Sequence, residues 1–334
     1  MVDLNQLSVL SLWSAMAMYA LAFIAFSLDL ARRSADVTAV ADGMASGNAA
    51  SAAAGAVAAR TGDSSVATLT RPDVDAPQVE ARRSPVLRVA LALTVLAFLL
   101  HLTSVITRGV AAERVPWANM YEFGLTGTVL ITAVYLVVLL RIDLRFLGTF
   151  ITGLVLVLLG IAAVNFYVEV VPLPPALQSA WLIIHVFVAS AATAFFALGF
   201  ALSVLQLVQH RRQSGGADLK TLKLKFLATL PTAQRLENLA YRTNIVGFIL
   251  WTFTLIAGAI WAERAWGRYW GWDTKEVWTF IIWVIYAGYI HARATRGWRG
   301  SRSAWLAIIG FAAVMFNFSV VNLFFKGLHA YSGL

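Results

Sequence analysis

"RFLGTFITGLVLVLLGIAAV" runs from Arg145 to Val164, and after its first residue it carries no charge. A helix of that length extends about 30 Å, the thickness of a bilayer's hydrocarbon core. A helix also satisfies its own backbone hydrogen bonds, which lipid requires. The stretch therefore predicts a transmembrane helix, and the rest of the chain repeats it. Apolar runs at 7–28, 86–107, 122–141, 145–164, 181–208, 244–262, 277–294 and 304–325 give eight expected spans. Of 334 residues, 60% are hydrophobic and 13% charged, against about 25% charged in soluble domains. Mean hydropathy is +0.74. The expected fold class is all-α, a polytopic membrane protein. The first run is too long for a signal peptide and lacks a basic start, so residues 1–30 are read as a retained helix.

Orientation follows from lysine and arginine. The loops 29–88, 141–145, 209–243 and 293–303 hold 20 of the 26. The remaining six are Arg108, Arg114, Arg264, Arg268, Lys275 and Lys326. The first set is expected in the cytoplasm, which places both termini outside. The net charge of +9 is thus distributed between spans, and a nucleic-acid partner is not expected. Residues 31–85 contain an Ala/Gly/Ser-rich stretch with almost no large apolar side chains, and read as a disordered cytoplasmic linker. "LKTLKLKFLATLPTAQRLENLAYR", residues 219–242, reads as interfacial. Residues 86–334 form the expected seven-helix domain. With no cysteine, the chain performs no thiol chemistry itself.

Between the sixth and seventh spans stands "WGRYWGWDTKEVW", Trp266 to Trp278. Six of the twelve tryptophans lie at 261, 266, 270, 272, 278 and 283. An interfacial aromatic belt accounts for Trp117, Trp181, Trp298 and Trp305, but poorly for six within 261–283. The alternative is an aromatic platform for a planar ligand, with Gly267 and Gly271 letting the backbone approach it. Asp273 and Glu276 have the spacing of a helix N-cap and its partner three residues on. Arg264, Arg268 and Lys275 are solvated, paired with lipid phosphate, or available to ligand carboxylates.

Five histidines complete the inventory. His185 falls about four residues, or about 6 Å, into the fifth span from its outer end. His329 lies just beyond the last span, at a matching height. Two imidazoles flanking an aromatic platform suit six-coordinate haem iron. Each also has a packing reading, and zinc would need further ligands. His291 lies about 22 Å along the next helix from Glu276 and cannot share that iron. It either packs near headgroups or is one ligand of an inner site. His210 reads as part of a solvated helix end, and His101 as a packing residue or a support for a site.

The tryptophan stretch resembles the WWD motif of haem-handling proteins in cytochrome c maturation. Its continuation, D-x-K-E followed by "FIIWVIYAGYIHAR", resembles the CcsA/ResC family of the System II pathway, called CcsB in actinobacteria. "RVPWANMYEF" is similar to that family's P-x-x-N-x-Y-E loop, through Pro116, Asn119, Tyr121 and Glu122. "AWLIIHV", "RLENLAYR" and "GLHAYSG" also resemble family segments. The resemblance covers about 108–334 and leaves the linker and His101 outside.

The resemblance implies an integral membrane subunit that carries haem b to an external WWD site. There it presents haem for thioether attachment to the C-x-x-C-H segment of apocytochrome c. It implies that His185 and His329 hold the outer haem iron and that His291 supplies one inner ligand. Trp266, Gly267, Arg268, Trp270, Trp272, Asp273 and Lys275 become the expected haem-binding residues. A ResB/Ccs1-type membrane protein is the implied partner, joined by thiol-reducing proteins, and the pair is the implied holocytochrome c synthase. The expected location is a bacterial plasma membrane, with the WWD loop extracytoplasmic. Two other readings remain: a haem transporter or chaperone without ligase activity, and a lipid or small-solute carrier that binds no haem.

Overall fold

The computed structural model describes residues 3–58, 84–170, 173, 177–214, 225–325 and 327–329, with side chains of the first segment described as far as Asp36. Regular structure among these residues is entirely helical. In chain order the helices are α1 (Leu4–Ala58), α2 (Pro85–Ala111), α3 (Met120–Leu139), α4 (Gly148–Asn165) and α5 (Ala180–Gln213). They continue with α6 (Ala233–Trp266), α7 (Thr274–Thr295), α8 (Ser301–Phe318) and the single turn α9 (Val320–Phe324). Each of the eight expected spans lies on one of these helices, the last divided between α8 and α9 at Ser319.

Seven stretches, on α1 to α6 and across α8 and α9, are long and apolar enough to cross a membrane. α7 has the length, with 22 residues, but its tryptophans, tyrosines, His291 and terminal charges dilute its hydropathy. It lies between two spanning helices and packs against both, so the protein is a multi-pass membrane bundle.

Local chemistry sets the helix ends. Ser84 caps α2 ahead of Pro85, Asn119 caps α3, Ser179 caps α5 and Thr232 caps α6. In each case a side-chain oxygen accepts an amide hydrogen that the first turn leaves unpaired. α6 stops at Gly267, whose φ of +69° closes the helix in the left-handed region.

Two segments differ from expectation. The first helix does not end near residue 30 but continues to Ala58, so 31–58 is helical where a linker was expected. Alanine dominates that stretch, and alanine has the strongest helix propensity of the residues. The remainder of the linker, 59–83, lies outside the described residues. In the segment read as interfacial, residues 225–229 form a 3-10 turn and α6 already begins at Ala233. Residues 215–224 and Lys326 lie outside the described residues.

α5 is central and packs against α3, α6 and α8. Its buried face includes Ser190, Ala192, Ala194, Ala197, Gly199 and Ser203. Small side chains let helices approach closely, which in lipid takes the place of a hydrophobic driving force. Buried ion pairs clamp both ends of the bundle. At one end Glu122 meets Arg108 at 3.1 Å and Arg114 at 2.6 Å. Arg108 also donates to Asn5 Oδ1 and to the Val168 carbonyl, tying the start of α1 to the connection before α5. At the opposite end Arg293 of α7 meets Glu237 at 3.3 Å, donates to Asn238, and lies over the Tyr241 ring. The "RLENLAYR" stretch is therefore the anchor for the end of α7.

Candidate functional site

The start of α5, the end of α6, the start of α7 and residues 327–329 converge at one end of the bundle. His185 stands in the second turn of α5, with Nδ1 3.0 Å from the Thr254 carbonyl of α6. A carbonyl only accepts, so Nδ1 donates and Nε2 keeps a free lone pair. The imidazole stacks against Trp261, with centroids 5.9 Å apart and planes 14° apart. Gly258 permits this approach: a Cβ there would stand 2.7 Å from His185 Cε1.

His329 arrives from the far end of the sequence. Its Nδ1 lies 3.2 Å from Asp273 Oδ1. The ionised carboxylate accepts, so here too Nδ1 donates, and Nε2 has no partner among the described residues. The ring meets Trp261 and Trp266 edge-on, at centroid distances of 5.5 and 4.7 Å. Buried Trp261 thus touches both imidazoles.

Asp273 also caps α7, accepting from the Lys275 amide at 2.9 Å, while Glu276 Oε2 accepts from the Asp273 amide at 3.0 Å. This is the capping box that the D-x-x-E spacing predicts. The hydrogen bond from His329, first of all, and those from the Lys275 and Leu328 amides hold the Asp273 carboxyl well below the usual carboxylate range.

Two cavities meet at the histidines. The larger, about 550 Å³, is mostly apolar and lies between α3, α4, α5 and α8, with Trp117, Met120, Trp251 and Trp261 in its walls. The smaller, about 70 Å³, lies under the tryptophan loop and is lined by Tyr269, Trp270 and Glu276. His185, Thr254, Lys275, Thr279 and His329 line both. Only the larger falls in the range of about 300–1,000 Å³ common for small-molecule and cofactor sites. An apolar chamber, an indole against both imidazoles and two free Nε2 atoms fit a bis-histidine haem. Lys275 Nζ, on the wall of both cavities, donates to Asn322 Oδ1 and places a cation where a ligand carboxylate can be met.

The remaining expected site residues divide. Trp266 packs on His329, and Trp270 lines the smaller cavity. Trp272 meets Trp270 edge-on at 5.8 Å but is 75% exposed and lines neither cavity. Its φ of +58°, uncommon for a residue with a side chain, accompanies that outward placement. Gly267 serves as the C-cap of α6, with open space around it. The Arg268 guanidinium occupies the space that a Gly271 Cβ would fill, and Arg268 lines neither cavity. His291 is exposed toward the opposite end of α7. His210 is exposed in the last turn of α5.

His101 is fully buried between the Leu125 carbonyl and the Tyr19 hydroxyl, which is the packing role. No three potential metal ligands gather among the described residues, so the zinc reading gains no third ligand. Thr254, Gly258 and Asn322 were not singled out from the sequence. Small or weakly polar residues inside spans give no signal until a partner faces them. Trp261 stood among the six counted tryptophans, and nothing local distinguished it.

The family described as Cytochrome C assembly protein matches residues 117–329, a range that ends on His329 and includes the whole loop. The cytochrome c biogenesis protein CcsA of Guillardia theta is 36% identical over 243 residues, covering 68% of this chain and 80% of that protein. The protein of the same name from Mesostigma viride is 37% identical over 240 residues, 66% of this chain and 78% of that protein. For its counterpart from Prochlorococcus marinus the figures are 41% over 177 residues, 48% of this chain and 56% of that protein. Against the last, the chain spans just over half the relative's length.

Proposed function

Because the chain belongs to the cytochrome c assembly protein family, we propose that it acts in cytochrome c maturation as the membrane subunit that holds haem b. The observation that carries this reading is the pair His185 and His329. Both commit Nδ1 to an acceptor, neither Nε2 has a partner among the described residues, and both line one cavity of cofactor size. When bound, haem supplies the vinyl groups to which the thiols of an apocytochrome C-x-x-C-H segment add. The chain has no cysteine, so both sulfurs come from the substrate. His185 and His329 hold the iron, Trp261 orders both rings, and Lys275 meets a propionate.

The arginine-rich end of the bundle faces the cytoplasm, and the tryptophan loop faces outside. His291 lies on the outward face of α7 with Phe280 and Val284. That position supports an inner haem ligand whose second histidine comes from a ResB/Ccs1-type partner. The pathway is System II and the assembly a holocytochrome c synthase.

The test is co-expression with that partner in a host lacking its own maturation system. Covalently attached cytochrome c supports the ligase reading. Free haem crossing without covalent product replaces it with transport. A purified complex without a Soret band removes haem altogether.

The tryptophans give a graded prediction. Trp261→Ala, which removes an indole touching both imidazoles, lowers haem content most. Trp270→Ala lowers it less, and Trp272→Ala leaves it near wild type. Haem content per folded protein measures all three, and a large loss in Trp272→Ala alone would contradict the placement of the cavity.

A further inference from the structure

Asp273 meets three consecutive residues of the C-terminal segment. The Leu328 amide donates to Oδ2 at 2.8 Å, and His329 Nδ1 donates to Oδ1 at 3.2 Å. Gly327 lies so close that a Cβ there would stand 2.3 Å from Oδ2. The carboxylate is fixed from the helix side as well. Its Oδ1 accepts from the Lys275 amide, and Glu276 returns the bond to the Asp273 amide. Glu276 Oε2 also accepts from the Gly271 amide at 2.8 Å, which holds the loop to the same cap. The carboxylate therefore has little freedom to swing away from a bulkier residue 327.

The two histidines are consequently held in different ways. His185 belongs to a long helix, bonds a main-chain carbonyl and stacks on a buried indole. His329 lies beyond the last helix, and among the described residues its side chain hydrogen-bonds Asp273 alone.

From this geometry we infer that Asp273 is the positioning residue for His329, and that residue 327 is glycine so that the clasp can close. The inference rests on the reading of His329 as a haem ligand. A carboxylate on Nδ1 fixes the ring's tautomer and orientation and makes Nε2 more basic, as outer partners of ligating histidines do. The carboxylate would thus join α7, the tryptophan loop and the C-terminal segment in one arrangement.

The test compares Asp273→Ser, Asp273→Asn, Gly327→Ala and His329→Gly in the full chain purified with its partner. Serine and asparagine both cap helices well, so α7 keeps its start. Asp273→Ser and Gly327→Ala are expected to bind added haem about 10–100-fold more weakly. They lose the six-coordinate low-spin spectrum, and imidazole restores it as it does in His329→Gly. Asp273→Asn keeps an acceptor for Nδ1 but loses the charge, so its haem is expected to have a higher reduction potential than wild type. A residue that only capped α7 would move neither the potential nor the imidazole response.

A second measurement needs no haem. The chain has no cysteine, so Leu328→Cys is its sole thiol, and it should react faster with maleimide on the Asp273→Ser background. Equal labelling rates, or wild-type haem affinity in both Asp273→Ser and Gly327→Ala while His329→Gly loses it, would overturn the clasp. A His329→Gly spectrum identical to wild type would overturn the ligand reading itself, and the clasp's role with it.

Discussion

His185→Gly and His329→Gly are each expected to lose the six-coordinate haem spectrum and to reduce cytochrome c maturation to background. Added imidazole should return part of both. Each substitution removes one of the two Nε2 atoms that line the shared cavity and leaves a space the shape of the missing ring. At His185 that space keeps the Thr254 carbonyl and the face of Trp261, so a free imidazole finds both a hydrogen-bond acceptor and a stacking partner. At His329 the space keeps the Asp273 carboxylate. A glycine within a helix costs about 1 kcal/mol relative to alanine, too little by itself to unfold a bundle of this size. His185→Ala provides the control for that cost. Visible spectra and covalent cytochrome yield are the measurements, and unchanged spectra with full yield in both variants would remove the ligand assignment.

Most of the fold was legible because lipid leaves a polypeptide few choices. Each apolar run of about 20 residues is expected to form a helix, and the eight expected runs are helical over nearly their whole length, the last across α8 and α9. The boundaries were less legible where a helix continues past the apolar layer. α6 begins at Ala233, within a polar sequence whose Glu237 and Asn238 bind Arg293. Hydropathy marks where lipid ends, whereas caps and ion pairs mark where the helix ends. α1 continues to Ala58 for a different reason, since alanine favours helix in a stretch that hydropathy does not mark as a span.

The site divides along similar lines. Depth counting placed His185 and His329 near one another because a helix rises at a fixed rate. The Asp273 cap followed from spacing alone. Its bonds to Leu328 and His329 could not, because they depend on how the C-terminal segment folds back. The tryptophans show the limit most clearly. Their concentration marked the loop, yet whether an indole faces inward depends on backbone dihedrals, and Trp270 lines a cavity while Trp272 is exposed. Lys275 and Arg268 divide in the same way, one on a helical turn facing the cavity and the other folded over Gly271.

Glu122→Ala should have the largest structural effect of any single change at the site end of the bundle. Its side chain is fully buried, and it accepts from Arg108, from both terminal nitrogens of Arg114 and from the Ala118 amide. Alanine removes the carboxylate that two buried guanidiniums share. Breaking a buried ion group by deleting one partner costs about 3–5 kcal/mol, against a total stability of about 5–15 kcal/mol for a typical native protein. Arg108 also bonds Asn5 and the Val168 carbonyl, so the disturbance reaches α1 and the segment that leads into α5 and His185. The expected result is a sharp fall in folded protein in the membrane, with maturation falling in proportion. Glu122→Gln keeps an oxygen for the arginines and the Ala118 amide but loses the charge, and should lie between the two. The P-x-x-N-x-Y-E loop could instead act directly on the ligand, since Asn119 of the same loop lines the larger cavity. In that case Glu122→Ala would accumulate with normal thermal stability and still fail in maturation. Protein yield and melting temperature, measured beside activity, separate a clamp that holds the ends of the helices from a residue that handles the ligand.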